Sequence, residues 1–322
     1  MEERKTAVSI IIPNWNGKEY LRDCLKSLEQ QTFRSFEVIV VDNGSDDGSI
    51  EMAAEEYPWA KVVALEKNEG FCKAVNIGIR ASKAPYVILL NNDTRADKMF
   101  VREMVAGIRK RPRCFSCQAK MLQMSQPDLI DDAGDFYSAL GWAFADGKGK
   151  PQEKYRSERK IFSSCAGAAI YRRAILNEIG LFDEVHFAYL EDLDIGYRAN
   201  VCGYENWFLP KAKVYHVGSG TTGSMHNGFK VKYSARNNVY LIHKNMPWWQ
   251  IVWNFPFLAA GCVIKGIFFQ RKGFGSDYRQ GIREGISLCR EHRKVKYQRE
   301  KIRNYLNIQI NLWKNVKKSV FR

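Results

Sequence analysis

Four short apolar runs alternate with helical patterns over the first ninety residues, and this alternation constrains the fold more than any other feature. The runs occupy residues 8–13, 36–42, 60–65 and 86–90 and are rich in Val and Ile. Nearly continuous runs of this kind are typical of strands covered on both faces, as in a parallel sheet. Between them, apolar residues recur three or four positions apart, which predicts helices. The β-α-β-α-β-α-β order predicts an α/β fold with a doubly wound, mostly parallel sheet.

Polar segments follow each of the four predicted strands. They lie at residues 13–17, 42–48, 66–70 and 91–94 and are rich in Asn, Asp and Gly. In doubly wound sheets, ligands bind outside the carboxyl ends of the strands. The four segments together therefore predict a binding site.

The pattern and composition divide the chain into three parts, at residues 1–115, 116–246 and 247–322. In the second part we predict surface loops at 110–120 and 146–160, strands at 163–171 and 212–216, and a helix at 191–201. The eight cysteines are scattered, and the first residues lack a signal-peptide pattern. We therefore expect free thiols and a cytoplasmic location.

The positive charge is concentrated in the third part of the chain. The formal net charge is +15, and residues 265–322 contain 16 Lys and Arg against four Asp and Glu. The remaining body is therefore close to neutral. A protein that binds nucleic acid would be expected to carry basic residues on its body as well, so we predict no nucleic-acid partner.

Two acidic residues at predicted strand ends allow both a functional and a structural interpretation. Asp42 ends the second predicted strand and precedes two turn dipeptides, so it serves either as a ligand-binding carboxylate or as the start of a helix-capping turn. Asp93 follows the fourth strand and serves either as a ligand for a divalent cation or as a strand-end turn residue. Either segment alone is a weak signal.

A second acidic group, Glu191, Asp192 and Asp194, opens the predicted helix at 191–201. Acidic residues in the first turn stabilise a helix by a few tenths to about 1 kcal/mol, which is a sufficient structural reason for them. A carboxylate there is also suited to accept a proton. The residues alone leave both interpretations open.

Seven motifs in order resemble those of inverting glycosyltransferases of family 2, which have the GT-A fold. Four resemble the nucleotide-binding half: SIIIPNWNG at 9–17, VIVVDNGSDDGS at 38–49, EKNEGFCKAVNIGI at 66–79 and VILLNNDT at 87–94. Three are similar to the rhamnosyltransferase-like branch: GLFDEVHFAYLEDLDIGYR at 180–198, AKVYHVGSGTT at 212–222 and ARNNVYLIHKN at 235–245. Several motifs in the correct order are far more specific than any one of them. The resemblance makes residues 1–115 the nucleotide-sugar-binding half and 116–246 the acceptor-binding and catalytic half.

The resemblance also implies roles for individual residues. Asp192 would be the general base, with Glu191 orienting it or touching the acceptor, and Asp93 and His216 would hold Mn²⁺ or Mg²⁺. Asn91 stands where the family has the first carboxylate of its Asp-x-Asp motif, so metal binding needs the second ligand that His216 supplies. The donor nucleotide would contact Pro13, Asn14, Asp42, Asn43, Asn68, Gly70, Asn91 and Asp93.

The function implied is metal-dependent, inverting transfer of a sugar in the synthesis of cell-surface polysaccharide. Rhamnose from dTDP-rhamnose is the first candidate and UDP-sugars follow, with a glycan or a polyprenyl-linked glycan as the acceptor. The alternative is a non-catalytic protein that uses its basic tail to associate with a membrane or with nucleic acid. A dinucleotide-dependent dehydrogenase would need a Gly-x-Gly-x-x-Gly turn after the first strand, and PNWNGK at 13–18 lacks it.

The C-terminal tail, residues 247–322, combines an aromatic segment with basic helical patterns. Residues 251–269 are apolar, but Asn254, Pro256 and Lys265 interrupt them, so we predict a poor membrane-spanning helix. Aromatic residues followed by basic amphipathic helices are typical of an element lying on an anionic leaflet. We therefore expect peripheral attachment to the inner face of the cell membrane, with a solvated charged face or a homodimer contact as the alternative.

Overall fold

The structure, a computed structural model, describes residues 6–218, 227–292 and 294–320. The end of one family-like motif, residues 219–222, lies outside the described residues. The strands are β1 (Val8–Asn14), β2 (Phe36–Asp42), β3 (Lys61–Ala64), β4 (Tyr86–Leu90), β5 (Thr94–Ala96), β6 (Cys114–Gln123), β7 (Ile130–Asp132), β8 (Asp135–Tyr137), β9 (Ala143–Ala145), β10 (Arg159–Ile161), β11 (Ala168–Arg172) and β12 (Glu205–His216). The α-helices are α1 (Lys18–Glu29), α2 (Ser49–Glu56), α3 (Phe71–Ala81), α4 (Phe100–Arg109), α5 (Arg173–Ile179), α6 (Glu191–Val201), α7 (Gly228–Asn245), α8 (Trp248–Arg271), α9 (Gly275–Glu291) and α10 (Ile302–Val320).

The first half of the chain forms the predicted parallel sheet. Its strands follow the order β3-β2-β1-β4, and every neighbouring pair is parallel. The four predicted strands are therefore confirmed, β2 and β4 with unchanged bounds. In the register of β1 and β2, Asn14 lies beside Asp42. The carboxyl ends of these strands thus bring their polar segments together.

Both faces of this sheet are buried, as the apolar runs predict. Ile10 and Ile12 of β1 pack on one face with Leu21 and Leu25 of α1. Ile11, between them, packs on the other face in the same cluster as residues of α3. Alternate residues of a strand point to opposite faces, so a strand covered on both faces must be apolar throughout.

The sheet continues through the second half of the chain and becomes mixed. β11 is antiparallel to both β4 and β6, and β6 is parallel to β12. The predicted strand at 163–171 is shorter than expected, since β11 begins at Ala168. The predicted strand at 212–216 is the end of the longer β12, whose register with β6 shifts between Leu209 and Lys213. Pro210 lies in that irregular stretch, where it interrupts the sequence signal for a strand.

The surface loop predicted at residues 110–120 is wrong, because β6 occupies most of it and is almost entirely buried. Polar side chains caused the error. Ser116 donates from Oγ to Asn206 Oδ1, and Gln118 donates from Nε2 to Asp132 Oδ1. Buried polar groups are stable when they are hydrogen-bonded in this way, but from sequence alone they resemble an exposed segment. The loop predicted at 146–160 is irregular for most of its length and ends at β10.

Four helices complete the chain. α7 and α9 approach closely at two glycines of α9, where a Cβ on Gly281 would lie 2.2 Å from Lys232 O and one on Gly285 would lie 2.6 Å from Arg236 O. α8 has 24 residues and is, by length and composition alone, long and apolar enough to cross a membrane. The residues that interrupt its apolar pattern do not interrupt the helix, which passes through Pro256.

Candidate active site

A cleft of about 520 Å³ lies at the carboxyl ends of β1, β2 and β4 and faces the start of α6. Most of the sequence-predicted site residues line it: Pro13, Asn14, Asn43, Asn68, Asn91, Asp93, Glu191, Asp192 and His216. Asp42 and Gly70 are not among the lining residues, but each is hydrogen-bonded to one of them, Asp42 to Asn14 and Gly70 to Asn68. The cleft therefore gathers the polar strand ends and the acidic helix start at one place in the fold.

The end of β1 is tied to its neighbours through Asn14. Its Nδ2 donates to Asp42 Oδ2 at 2.8 Å, and its Oδ1 accepts from Asn92 Nδ2 at 2.7 Å. The other oxygen of Asp42 accepts from the Ser45 backbone N at 2.8 Å, as in a strand-end turn. Both carboxylate oxygens of Asp42 thus accept hydrogen bonds from the protein. Asn14, and not Asp42, lines the cleft.

A second polar cluster leads into α3. Asn43 donates from Nδ2 to Asn68 Oδ1 at 3.0 Å and accepts at Oδ1 from Glu69 N. Asn68 Oδ1 also accepts from Gly70 N at 2.9 Å. Gly70 has a φ of 88°, and a Cβ there would lie 2.5 Å from the Phe187 ring. Glycine is therefore required at the point where α3 begins, and the helix start faces the cleft.

Asp93, His216 and Asp131 form a row of side chains, of which Asp93 and His216 line the cleft. His216 Nε2 lies 3.2 Å from Asp93 Oδ1, and His216 Nδ1 lies 2.7 Å from Asp131 Oδ2. The pairing of β5 with β12 sets Thr94 opposite His216 and so fixes this arrangement. Lys148 holds the other oxygen of Asp131 at 3.2 Å. Asp131 was not selected from the sequence, where it is one of two adjacent aspartates without a motif of its own.

The row has donors suited to a divalent cation. Asp93 Oδ1 is buried and has no hydrogen bond of acceptable geometry among the described residues. One carboxylate and one imidazole form a ligand pair that suits Mn²⁺ better than Mg²⁺. Burial lowers the pKa of His216, but its hydrogen bond to Asp131 and the nearby carboxylate of Asp93 outweigh this and raise that pKa to about 10. The row is therefore a place where positive charge is strongly favoured.

Asn91 lies at the joint between the two halves of the sheet. Its backbone N donates to Gly167 O at 2.9 Å, and a Cβ on Gly167 would lie 3.1 Å from Asn91 Nδ2. The close approach of these two segments brings the end of β4 next to the residues that precede β11. Asn91 thus lines the cleft beside Asp93 without making a contact to His216.

The acidic group at the start of α6 also contributes to the cleft, which Glu191 and Asp192 line. Asp192 Oδ1 accepts from Ala166 N at 3.0 Å, and Glu191 Oε2 is buried without a hydrogen bond among the described residues. Burial raises the pKa of Glu191 to about 7. Burial, followed by the nearby charge of Glu191, raises the pKa of Asp192 well above its usual range. Groups with such shifts in a cleft are candidates for proton transfer.

Asp135 also lines the cleft and was missed by sequence reasoning. It belongs to the stretch DDAGD at 131–135, in which nothing distinguishes it from its neighbours. One ligand oxygen each of Asp132 and Asp135 and the Cys165 Sγ lie within 4.8 Å of one another. Burial and the charge of Asp132 raise the pKa of Asp135 well above its usual range. The second half of the chain therefore presents several poorly hydrated carboxyl groups to the cleft.

The segment leading to Glu191 has an unusual backbone. Phe187, Tyr189 and Leu190 have φ values of 60°, 74° and 66°, which residues other than glycine seldom adopt. Asn237 of α7 donates from Nδ2 to three carbonyl oxygens of this segment, those of His186, Ala188 and Tyr189, at 2.8–2.9 Å. A backbone of this kind persists only when its surroundings determine it. Asn237 is thus a positioning residue for the start of α6.

Arg236 and Lys244 hold the same segment from the same helix. Arg236 donates from Nη2 to the carbonyl oxygens of Val185 and His186, which shows a structural part for this residue of the ARNN sequence. Lys244 Nζ lies 2.6 Å from Asp183 Oδ2 and 2.8 Å from Asp194 Oδ1. Ligand atoms of Asp183, His186 and Asp194 lie within 4.8 Å of one another. Lys244 already supplies the positive charge in this buried group, so we assign it to the stability of the fold.

A protein-family model described as glycosyl transferase family 2 matches residues 9–180. The chain is 24% identical over 267 residues to N-acetylglucosaminyl-diphospho-decaprenol L-rhamnosyltransferase of Mycobacterium tuberculosis, an alignment that covers 75% of this chain and 86% of that protein. It is 30% identical over 226 residues to an uncharacterized glycosyltransferase of Rickettsia prowazekii, covering 65% of this chain and 64% of that one.

Solved structures with a similar fold include two nucleotide-sugar enzymes. A structure of GalNAc-T7 with UDP, GalNAc and Mn²⁺ has a TM-score of 0.61 and 20% identity, and covers 75% of this chain and 48% of that one. A structure of S. aureus TarS residues 1–349 with UDP-GlcNAc has a TM-score of 0.53 and 21% identity, and covers 94% of this chain and 79% of that one. These likenesses confirm the predicted GT-A fold.

Asn237→Ala is expected to loosen the segment before α6, because three backbone carbonyls lose their shared donor. We expect amide hydrogen exchange in residues 186–190 to accelerate by about tenfold or more, as for a locally destabilised loop. Hydrogen-exchange mass spectrometry measures this. Asn238→Ala is the matched control, since Asn238 Oδ1 accepts from Tyr137 OH and does not contact the segment. Equal exchange in both variants would contradict the positioning role.

Proposed function

The chain belongs to glycosyl transferase family 2, and we propose that it transfers a sugar, with inversion, from a nucleotide-diphosphate donor to a lipid-linked glycan. The observation that carries this proposal is the position of Asp192, a half-buried carboxylate that shares one cleft with Asn91, Asp93 and His216. A direct displacement at the anomeric carbon needs a base on one side of the sugar and a stabilised leaving group on the other. The cleft offers both.

The donor nucleotide would lie along the strand ends of the first half. Asn14, Asn43 and Asn68 line this part of the cleft and offer amide donors and acceptors for a base and a ribose. The diphosphate would lie near the start of α3, whose partial positive charge favours an anion. We propose dTDP-rhamnose as the first donor to test, because the Mycobacterium tuberculosis relative is named a rhamnosyltransferase. UDP-sugars are second, since similar folds are solved with UDP or UDP-GlcNAc.

A divalent cation would be held by Asp93 and His216. Asp131, through its hydrogen bond to Nδ1, would orient the imidazole. When bound, the cation would neutralise charge that develops on the departing diphosphate. Two of the solved structures with a similar fold contain Mn²⁺, which supports testing that ion first.

Asp192 would act as the general base. Its carboxylate would accept the proton of the acceptor hydroxyl while the hydroxyl oxygen forms a bond to the anomeric carbon. The bond from that carbon to the diphosphate oxygen breaks in the same step, and the nucleoside diphosphate leaves with its electron pair. One displacement inverts the anomeric configuration. The hydrogen bond from Ala166 N holds Asp192 in position for this step.

The acceptor we propose is a sugar on a polyprenyl diphosphate. The Mycobacterium tuberculosis relative is named for an N-acetylglucosaminyl-diphospho-decaprenol acceptor. Glu191 and Asp135 line the cleft near Asp192 and offer carboxyl groups to sugar hydroxyls. Transfer to such an acceptor would place the protein in cell-surface polysaccharide synthesis.

Asp192→Asn is expected to lower kcat by about 10²–10⁴-fold, the usual contribution of a general base, while donor affinity changes little. Transfer from dTDP-rhamnose and UDP-sugars to a short-chain polyprenyl diphosphate acceptor would be followed by mass spectrometry, and donor binding by calorimetry. NMR of the product gives its anomeric configuration. Asp23→Asn, an exposed carboxylate of α1, is the matched control. Retention of the donor configuration, or an Asp192→Asn variant as active as this control, would overturn the mechanism.

The pH profile tests the two raised carboxyl pKa values. A base works when deprotonated, so the raised pKa of Asp192 predicts that kcat/KM begins to fall, as the pH is lowered, at pH values well above the usual pKa range of a free aspartate. Burial is the larger cause and the charge of Glu191 the next, so Glu191→Gln is expected to move this acid limb to lower pH. Glu51→Gln, on the exposed side of α2, is expected to leave it unchanged. An acid limb that stays in place in Glu191→Gln would contradict the coupling.

Removal of divalent cations tests the row of Asp93, His216 and Asp131. We expect chelation to abolish transfer and Mn²⁺ to restore it. Asp131→Asn is expected to weaken Mn²⁺ binding by about 10–100-fold, as loss of the group that orients a histidine ligand does. Electron paramagnetic resonance of free Mn²⁺ measures the affinity. Asp128→Asn, an exposed neighbour, is the control. Full transfer in the presence of chelator would exclude a catalytic cation.

A further inference from the structure

Helix α8 buries two polar side chains, those of Gln250 and Asn254, and exposes many of its apolar side chains. Gln250 donates from Nε2 to Tyr305 O, and Asn254 exchanges hydrogen bonds with Gln309 of α10. Both polar residues are fully buried. Surface helices of water-soluble domains place their apolar stripe against the core. The arrangement in α8 is the reverse, and it leaves an apolar surface on the outside of the protein.

An outward stripe runs along α8 at helical spacing. The exposed fractions are 73% for Trp248, 60% for Val252, 66% for Phe255, 60% for Val263 and 50% for Ile267. These positions are separated by three or four residues or by multiples of that spacing, so they share one face. From residue 248 to residue 264 the helix carries no charged residue.

A second apolar stripe, on α10, lies beside the first. Ile302, Leu306, Ile310 and Trp313 are exposed at a spacing of three or four residues. Trp253 of α8 stacks on Trp313 with ring centroids 6.2 Å apart, which joins the two stripes. The outer surfaces of α8 and α10 therefore form one apolar face, which we call the docking face. Large contiguous exposed apolar surfaces mark interaction sites.

Basic residues border the docking face. Beside Ile267, a groove of about 640 Å³ between α8 and α9 is lined by Arg271, Arg279 and Arg283. On α10, the exposed Lys314, Lys317 and Lys318 follow Trp313. An apolar face with a cationic border complements a bilayer with anionic headgroups, into which such a face sinks to the level of the acyl chains.

We propose that the docking face binds an anionic lipid bilayer with α8 lying in the membrane surface rather than crossing it. A crossing helix would have to leave its contacts with the protein. These contacts run along the length of α8. Gln250 and Asn254 bond to Tyr305 and Gln309 of α10, and the carbonyl oxygen of Gly261 accepts from Trp142 Nε1 at 3.1 Å. A Cβ on Gly261 would lie 2.0 Å from Leu140 O, so the helix is pressed against the body there. This surface-bound position keeps every one of those contacts.

The docking face is connected to the cleft by a short segment. Trp142 contacts α8, and the next residue, Ala143, lines the cleft. The body-facing side of α8, whose outer side belongs to the docking face, therefore contacts the residue next to one that lines the cleft. This geometric link to a lipid-linked acceptor rests on the proposed function, whereas membrane docking itself does not require it.

Vesicle co-sedimentation of the full chain tests the proposal without any substrate. We expect binding to phosphatidylcholine vesicles to increase when about 30% phosphatidylglycerol is added, and to weaken with salt. The double variant Val252→Gln/Phe255→Gln is expected to lose about tenfold or more in partitioning, since it removes apolar groups that enter the bilayer. Arg279→Gln/Arg283→Gln is expected to remove most of the gain from phosphatidylglycerol. Trp59→Gln, which removes an exposed aromatic ring far from the tail in sequence, is the matched control and is expected to bind like the unmodified chain.

Three outcomes would overturn the proposal. Equal binding by the double variant and the control, with unchanged melting temperatures, would exclude the docking face. Retention on membranes after an alkaline carbonate wash would show that α8 crosses the bilayer. The unmodified chain could also fail to bind vesicles and form a dimer instead. If light scattering showed that Val252→Gln/Phe255→Gln loses this dimer, the docking face would be assigned to a second copy of the chain. If Val252→Gln/Phe255→Gln lost vesicle binding but still transferred sugar to a soluble acceptor, membrane docking and the proposed function would be shown to be separate properties.

Discussion

The antiparallel insertion of β11 between β4 and β6 is the constraint on which the cleft depends. It makes Asn91 N donate to Gly167 O at the end of β4, and Gly167 directly follows Ala166. Ala166 N in turn donates to Asp192. Two hydrogen bonds, joined by the peptide link between Ala166 and Gly167, thus connect Asn91 at the end of β4 with the carboxylate of Asp192. The same close approach leaves little room at position 167, where a Cβ would lie 3.1 Å from Asn91 Nδ2.

This joint places charges of opposite preference on the two sides of one cleft. On the side of β5 and β12, two aspartates surround His216 and favour a positive charge. On the side of α6, burial raises the pKa of Glu191 and of Asp192. A nucleotide diphosphate with its cation would satisfy the first side, and an acceptor hydroxyl that must lose a proton would satisfy the second.

The elements built from regular patterns could be predicted from the sequence, and those built from long-range polar contacts could not. β1, β2, β4 and α6 follow from apolar runs and helical spacing, which are local signals. β6 was mistaken for a loop because its polar side chains are hydrogen-bonded to Asn206 and Asp132, partners 90 and 14 residues away along the chain. Asp131 and Asp135 escaped notice for a related reason, since their importance arises only when β12 and α6 pack against them. The positive φ values of Phe187, Tyr189 and Leu190 have no local signature either, because Asn237 of another helix holds this segment.

Asn254 weakens the prediction of a membrane-spanning helix, but in the structure it determines how α8 lies against the protein. Asn254 was counted against a membrane-spanning helix because a buried amide is costly in an apolar environment. In the structure this amide bonds to Gln309, and Asn254 Oδ1 also accepts from Trp313 Nε1. The polar pair fixes the rotation of α8 about its axis, and the apolar side chains are turned outward as a consequence. A helix made entirely of apolar residues would have no such preference, so the interrupting amide is what orients the docking face.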